Sequence, residues 1–288
     1  MSQKPYDFLV SDKEPFVYVE KSIVRMDDGF LTLLQGERGK TILAPSGHLL
    51  MLLGAGTSIT QEAAIFCAFH DLHVAFARGG CNIHSLFMAG RYQDPERLVE
   101  QVRLAGSQKL EVARLLMMRR LIKRGATQES IQDMLACPTV QALIAWEGRM
   151  AKVQYREFAL KNKVSFTRDF DAHDSVNVKL NVLNNALYSI SAAICLACSL
   201  SPSVGYIHGL TRRGGLAFDL ADLIKQETTL PIAFDSKIKS SRHAMYELSK
   251  ALKANNGKHF KEMLRVALLI GEGNLKELEA YCAGGRSQ

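Results

Sequence analysis

The hydrophobic pattern changes period once, near residue 90, and that change divides what the chain can fold into. Before it, runs rich in Val, Ile, Leu, Phe and Thr alternate with Gly-bearing breaks: "FVYVEKSIVR", "GFLTLLQ", "KTILA", "HLLMLLG", "HVAFARGG" and "NIHSLFM". This is strand-and-turn spacing. One helix interrupts it, "SITQEAAIFCAFHD", with Thr60 as N-cap and Ala64, Ile65, Ala68 and Phe69 at helical intervals. From Asp94 onward the strand signal disappears. Helical periodicity predicts segments over 96–124, 127–136, 138–162, 174–199, 216–227, 241–255 and 257–282, the last broken near "GEGN". Pro95 suits the first helical position and Gly125 a stop. The expected fold class is α+β: a small β-rich N-terminal domain over residues 1–90, then a larger all-α domain over 91–288.

With 47% hydrophobic and 23% charged residues over 288 positions, the chain is neither disordered nor membrane-embedded. No early basic stretch leads into an apolar run, and no uninterrupted apolar run spans a bilayer, so a soluble, cytoplasmic protein with no membrane partner is expected. The six cysteines (Cys67, Cys81, Cys137, Cys195, Cys198 and Cys282) are sparse and set in apolar surroundings, as reduced core thiols are. The net charge of +7 is uneven. Residues 1–90 hold 7 Lys and Arg against 9 Asp and Glu, leaving 29 against 20 for the rest, which points the second half toward a polyanion.

The polar groups that stand out lie in "YIHGLTRRGGLAFDLADLIK", residues 206–225. Leu216, Leu220, Leu223 and Ile224 share one helical face, and Asp219 and Asp222, three apart, share another. Two carboxylates so spaced either converge on a hard divalent cation or form the solvated face of an amphipathic helix. His208 sits in an apolar run, where an imidazole needs a buried partner or a chemical role. Gly214 and Gly215 permit a reversal folding His208 back over the Asp helix. Arg212 and Arg213 in that turn are either solvated or turned to a phosphate. A third acid is Glu147 in "LIAWEGRMAKVQY", beside the only tryptophan and before Gly148, whose cost of roughly 1 kcal/mol inside a helix calls for a local reason. Surface pairing of Glu147 with Arg149 is the alternative.

In that order, "WEGRMAKVQY", "DSVNVKLNVLNNALYS" and "GYIHGLTRRGGLAFDLADLIK", continuing into "LPIAF" and preceded by "LLGAGTSITQEAA", the chain resembles the CRISPR-associated integrases of the spacer-adaptation complex, the "Cas one" family, over nearly its whole length. The wording is closest to type I systems, with subtype I-F as a candidate. The resemblance implies a metal-dependent DNA endonuclease and integrase that inserts spacers into a CRISPR array by attack of a 3′-hydroxyl on a repeat-boundary phosphodiester. It implies that Glu147, His208 and Asp222 hold Mg²⁺ or Mn²⁺ as catalytic residues, and that Asp219 is also needed for catalysis, supporting the site or approaching the ion. It further implies double-stranded and branched DNA as partners, a homodimer, and a small adaptation partner protein, free or fused to a helicase-nuclease. Arg149, Arg212, Arg213 and Lys225 are the expected contacts to the DNA backbone. Many relatives follow the Asp helix with an acidic residue and Arg-Pro, where this chain has Lys225, Gln226 and Glu227.

Two other functions use the same residues: a basic DNA scaffold without catalysis, against which the intact set of acids and histidine argues, and a nuclease acting on branched DNA. The predicted helix 96–124 carries eight basic residues that could track DNA. The stretch Cys67, His70, His73, Cys81 and His84 lacks the paired knuckles of a zinc site and is expected to pack. Cys195 and Cys198 are expected to be buried without redox function.

Overall fold

A computed structural model describes residues 13–36, 39–78, 82–87, 94–208 and 215–284. The first run of apolar residues divides into two strands, β1 (Glu14–Val19) and β2 (Ile23–Asp27), because Lys21 takes a left-handed φ of 50° and its N–H is captured by Ala55. The chain therefore switches sheets there. Asp28 and Gly29, both at positive φ, close the tight hairpin from β2 to β3 (Phe30–Leu34), and β4 (Lys40–Ile42), β5 (His48–Leu53) and β6 (Ser58–Ile59) follow. Helix α1 (Gln61–Phe69) starts where expected, with the Thr60 hydroxyl accepting from the Ala63 N–H at 3.3 Å. Strands β7 (His73–Arg78) and β8 (Asn82–Phe87) complete the region. The two-residue β6, too short to show a period, had no signal in the sequence.

The strands form two four-stranded sheets, ordered β1-β5-β7-β8 and β4-β3-β2-β6. In the first, β1, β5 and β7 are parallel, and β5 at its centre is buried on both faces. Leu50 and Leu52 face a core shared with the helices, whereas Met51 and Leu53 face a second core with Val24, Leu31 and Leu33 of the other sheet and Ala63 and Cys67 of α1. A strand covered on both sides has no reason to alternate, which is why "HLLMLL" is uniformly apolar.

The helical part is α2 (Pro95–Ser107), α3 (Lys109–Lys123), α4 (Gln128–Leu135), α5 (Val140–Lys161), α6 (Ser175–Ala197), α7 (Gly215–Asp222), α8 (Thr229–Phe234), α9 (Ser241–Gly271) and α10 (Leu275–Cys282). The predicted helix 96–124 is in fact two, α2 and α3. The weak formers Gly106 and Ser107 end the first, the Ser107 hydroxyl donates back to the Arg103 carbonyl, and Gln108 leaves helical geometry at φ −131°. Helix α7 stops at Asp222 rather than 227, and the chain turns through Leu223–Thr228 before α8. In α9 the break expected between 255 and 257 is present: Asn255, Asn256 and Gly257 all take left-handed conformations, tolerated best by these residue types.

Helix α6 is the core helix. Leu180, Leu183, Leu187, Ile190 and Ile194 are fully buried among the surrounding helices and the first sheet. Among the described residues it alone is long and apolar enough to cross a membrane, and its burial inside the fold accounts for that composition. The five described cysteines, Cys67, Cys137, Cys195, Cys198 and Cys282, are free and buried. Cys67 and His73 pack in the interior, and burial drives the His73 pKa down to about 4. Cys81 lies outside the described residues.

The segment after α6 returns across the start of α7 through an apposition of two glycines. A Cβ on Gly205 would lie 2.4 Å from the Gly215 carbonyl carbon, and one on Gly215 would lie 2.8 Å from the Gly205 nitrogen. This contact lays residues 206–208 alongside α7. Gly205→Ala is expected to cost about 1–3 kcal/mol, as overpacking against backbone does. Urea denaturation checks it, and a loss under about 0.5 kcal/mol would show that the two backbones do not need this approach.

Candidate metal centre

Helix α7 is buried nearly all round, Asp219 and Asp222 included, so the carboxylate pair is not a solvated face. Asp219 is fully buried and spends both oxygens on one tripeptide. Its Oδ2 accepts from the N–H groups of Tyr206 (2.7 Å) and Ile207 (3.1 Å), and its Oδ1 from the His208 N–H (3.2 Å). The His208 ring places Nδ1 2.8 Å from Asp219 Oδ1. An ionised carboxylate only accepts, so Nδ1 carries the proton and Nε2 is left to face the other acids.

There, Nε2 lies 3.8 Å from Glu147 Oε2 and 3.9 Å from Asp222 Oδ2, and one donor atom from each of the three residues falls within 4.8 Å of the others. Ligands held at about 2.1 Å from one ion stand about 3.0 Å apart when cis and about 4.2 Å when trans. The two separations from Nε2, 3.8 and 3.9 Å, lie within that range, and one imidazole with two carboxylates suits Mg²⁺ or Mn²⁺. The sequence thus pairs two carboxylates three residues apart with different jobs: Asp222 faces the ligand cluster, while Asp219 points away from it and fixes the histidine.

Cations hold the acids. Arg120 of α3 donates to Glu147 Oε1 at 2.5 Å and stands 3.8 Å from Asp222 Oδ2, and Lys225 pairs with Asp222 Oδ1. Burial alone would raise the Asp222 pKa; Lys225 foremost, with Arg120 and His208, outweighs it and holds the carboxyl down at about 2. Burial likewise opposes the charged form of His208, but the Asp219 hydrogen bond, with the Asp222 and Glu147 charges, raises its pKa above the ordinary imidazole value. The Lys225 ammonium also donates to the Tyr188 hydroxyl at 2.5 Å and lies 4.3 Å from that ring's centroid.

Of the residues expected at DNA, Arg149 is exposed on α5, two positions from Glu147, whereas Arg212 and Arg213 lie outside the described residues. Lys225 is placed differently from expectation: its charge is spent on Asp222 and Tyr188 inside the centre. The basic run of α2 and α3 is likewise largely internal. Arg114 donates to the Cys137 carbonyl, Arg119 to Glu262, Lys123 pairs with Glu227 and Glu262, and Arg124 lies 3.7 Å from Glu157. Much of the charge on that helix is thus paired within the molecule. Arg120 and Tyr188 are the centre's residues that sequence reasoning passed over. Arg120 was visible in principle, since it falls on the stripe of Ala113, Leu116 and Met117, where an arginine must find a buried acid.

A family model described as "CRISPR associated protein Cas1" matches residues 16–230. A protein of Chlorobaculum tepidum named "CRISPR-associated endonuclease Cas1 2" is 27% identical over 235 residues, spanning 78% of this chain and 75% of that protein. A CRISPR-associated endonuclease Cas1 of Pseudomonas aeruginosa is 27% identical over 234 residues, 66% of this chain and 70% of its own length. Among solved structures, the fold superposes on that of a TtCas1–DNA complex with a TM-score of 0.72 at 22% identity, covering 88% of this chain and 91% of that one. It also superposes on a casposase bound to an integration product, with a TM-score of 0.73 at 15% identity, covering 89% and 90%.

Two measurements test the geometry. With the folded pKa of His208 raised, its imidazolium contributes stability that is complete below the ordinary value of about 6.5 and is lost as pH rises through the raised one. The unfolding free-energy difference between wild type and His208→Gln should therefore shrink as pH rises above about 6.5, and a difference that grows there contradicts the assignment. A Cβ at Gly148 would meet nothing within 4 Å, so the folded chain itself supplies no steric reason for that glycine. Gly148→Ala should stabilise by about 1 kcal/mol in thermal unfolding.

Proposed function

The chain belongs to the CRISPR-associated Cas1 family, and from that premise we propose that it is a metal-dependent DNA endonuclease and integrase that joins new spacers to a CRISPR array. The observation that carries this reading is the convergence of Glu147, His208 Nε2 and Asp222 on one point, with the imidazole orientation set by Asp219. Relatives named endonucleases, and a fold neighbour bound to an integration product, agree with phosphodiester chemistry of this kind.

Glu147, His208 and Asp222 would hold Mg²⁺ or Mn²⁺. When bound, the ion lowers the pKa of an attacking hydroxyl and offsets charge developing on the phosphoryl oxygens. Asp219 is a positioning residue that keeps His208 in the tautomer with Nε2 free. Lys225 restrains Asp222, and Tyr188 restrains Lys225. In the joining step a 3′-oxygen of the incoming fragment forms a bond to phosphorus and gives its proton to solvent, while the P–O3′ bond at the repeat boundary breaks and the departing oxygen takes up a proton to become a free 3′-hydroxyl. One phosphodiester replaces another, so no nucleotide hydrolysis is needed.

The partners on this reading are double-stranded and branched DNA, a second copy of the chain, and a small adaptation protein, free or fused to a helicase-nuclease. Arg149, Arg212 and Arg213 would contact the DNA backbone, and Lys225 would act within the centre. The excess of basic over acidic residues after position 90 supports a polyanionic partner.

A short duplex with free 3′-hydroxyls, a supercoiled repeat-bearing plasmid, the partner protein and Mn²⁺ provide the test. Wild type should join strands, while Glu147→Ala and Asp222→Ala should lose about 100-fold or more in rate and still bind DNA. Joining by both variants at the wild-type rate would make these residues structural. Cleavage without joining would favour a nuclease of branched DNA.

A further inference from the structure

Helix α3 delivers three cations to two clusters of donor atoms. Arg119 and Lys123 are both fixed by the buried carboxylate of Glu262, at 2.8 and 2.7 Å, and Lys123 also donates to the Leu223 carbonyl at 2.8 Å. These bonds pin the helix. Arg120 between them is different: among the described residues its ionic contacts are Glu147 and Asp222, the two carboxylates of the metal centre. Lys225, the other cation there, has a second anchor in Tyr188. Arg120 therefore neutralises both acids from a rigid base, with only its own side-chain torsions to change. It also lines a cleft of about 350 Å³ together with Lys123, Arg124, Glu147, Asp222 and Lys225, so a displaced guanidinium has polar space beside it.

A guanidinium stays charged at any working pH and forms its best bonds with carboxylate or phosphate oxygens. Resting on the metal-centre reading above, we propose that Arg120 is a resident counter-cation of that centre: it competes with the divalent ion for Glu147 and Asp222, and on releasing them it takes a phosphate oxygen of DNA in the cleft. Two binding events then share one switchable group. DNA that draws Arg120 away leaves the carboxylates free for the ion, and an ion that occupies the carboxylates leaves Arg120 free for DNA, so each ligand tightens the other by the same factor. The centre is held assembled but self-neutralised until nucleic acid is present. This assigns Arg120 a role separate from that of the ligands it touches.

The experiment is calorimetric titration of Mn²⁺ into the full-length protein near pH 8, with and without a short duplex whose 3′ ends are blocked. Wild type, Arg120→Gln, Arg120→Lys and Glu147→Gln are compared. Arg120→Gln should bind Mn²⁺ about tenfold more tightly than wild type in the absence of DNA, because its acids have lost their competitor. DNA should tighten Mn²⁺ binding to wild type by a comparable factor and to Arg120→Gln by less than about twofold. Arg120→Lys keeps the charge but loses the two-pronged geometry, and should fall between the two at about threefold. It carries the test if the glutamine variant fails to fold. Unchanged or weaker Mn²⁺ binding in the arginine variants, or DNA tightening equal to that of wild type, overturns the proposal. If wild type binds no Mn²⁺, or Glu147→Gln binds it as wild type does, the metal-centre reading itself fails, a distinct result.

Discussion

The candidate centre depends on one buried carboxylate. Asp219 gathers three consecutive backbone N–H groups and an imidazole N–H around two oxygens. Buried donors left unpaired cost about 1–3 kcal/mol each, so the turn at 206–208 and the start of α7 stand or fall as a unit. The glycine pair at 205 and 215 is the steric condition for this bonding, since any side chain at either position would hold the two backbones apart. Geometry at His208 Nε2 is thus inherited from a contact that touches neither substrate nor ion.

The second determinant is charge held inside the molecule. A basic helix normally suggests a surface for polyanions, yet Arg114, Arg119, Arg120 and Lys123 reach inward to carbonyls and acids. Each such pair is desolvated and offsets that cost through short bonds between well-fixed partners; those of Arg119 and Lys123 place the helix, while that of Arg120 neutralises the acids of the centre. Counting charges along a sequence does not separate these cations from those turned to solvent. Position relative to the apolar stripe does.

What could be read in advance divides along the same line. The two regions, the Thr60 cap, the break near residue 256 and the candidacy of Glu147, His208 and the Asp219/Asp222 pair followed from local chemistry: periodicity, a capping hydroxyl and polar groups stranded in apolar runs; the choice of Asp222 as a ligand came from the family resemblance. The end of α2 had a local signature in Gly106 and Ser107 that the apolar periodicity masked, whereas the split of the first strand at Lys21 and the short β6 depended on tertiary hydrogen bonds with no local signature. The same holds for the division of labour between Asp219 and Asp222. Their spacing puts both on one side of a helix, and only the course of residues 206–208 decides which of them is used up by the backbone.

The spacing of these bonds along the chain has a consequence for how the centre comes into being. The His208–Asp219 pair closes a separation of 11 residues and the Arg120–Glu147 pair one of 27, both inexpensive loops in chain entropy. Joining the two halves brings Glu147 of α5 to His208 and Asp222, a longer-range event. Each half can therefore be complete in a partly folded chain, and neither half alone has three donors at one point. On the proposed reading, the three donors meet only where both halves are docked, so a chain in which they are apart carries the ligands without the site.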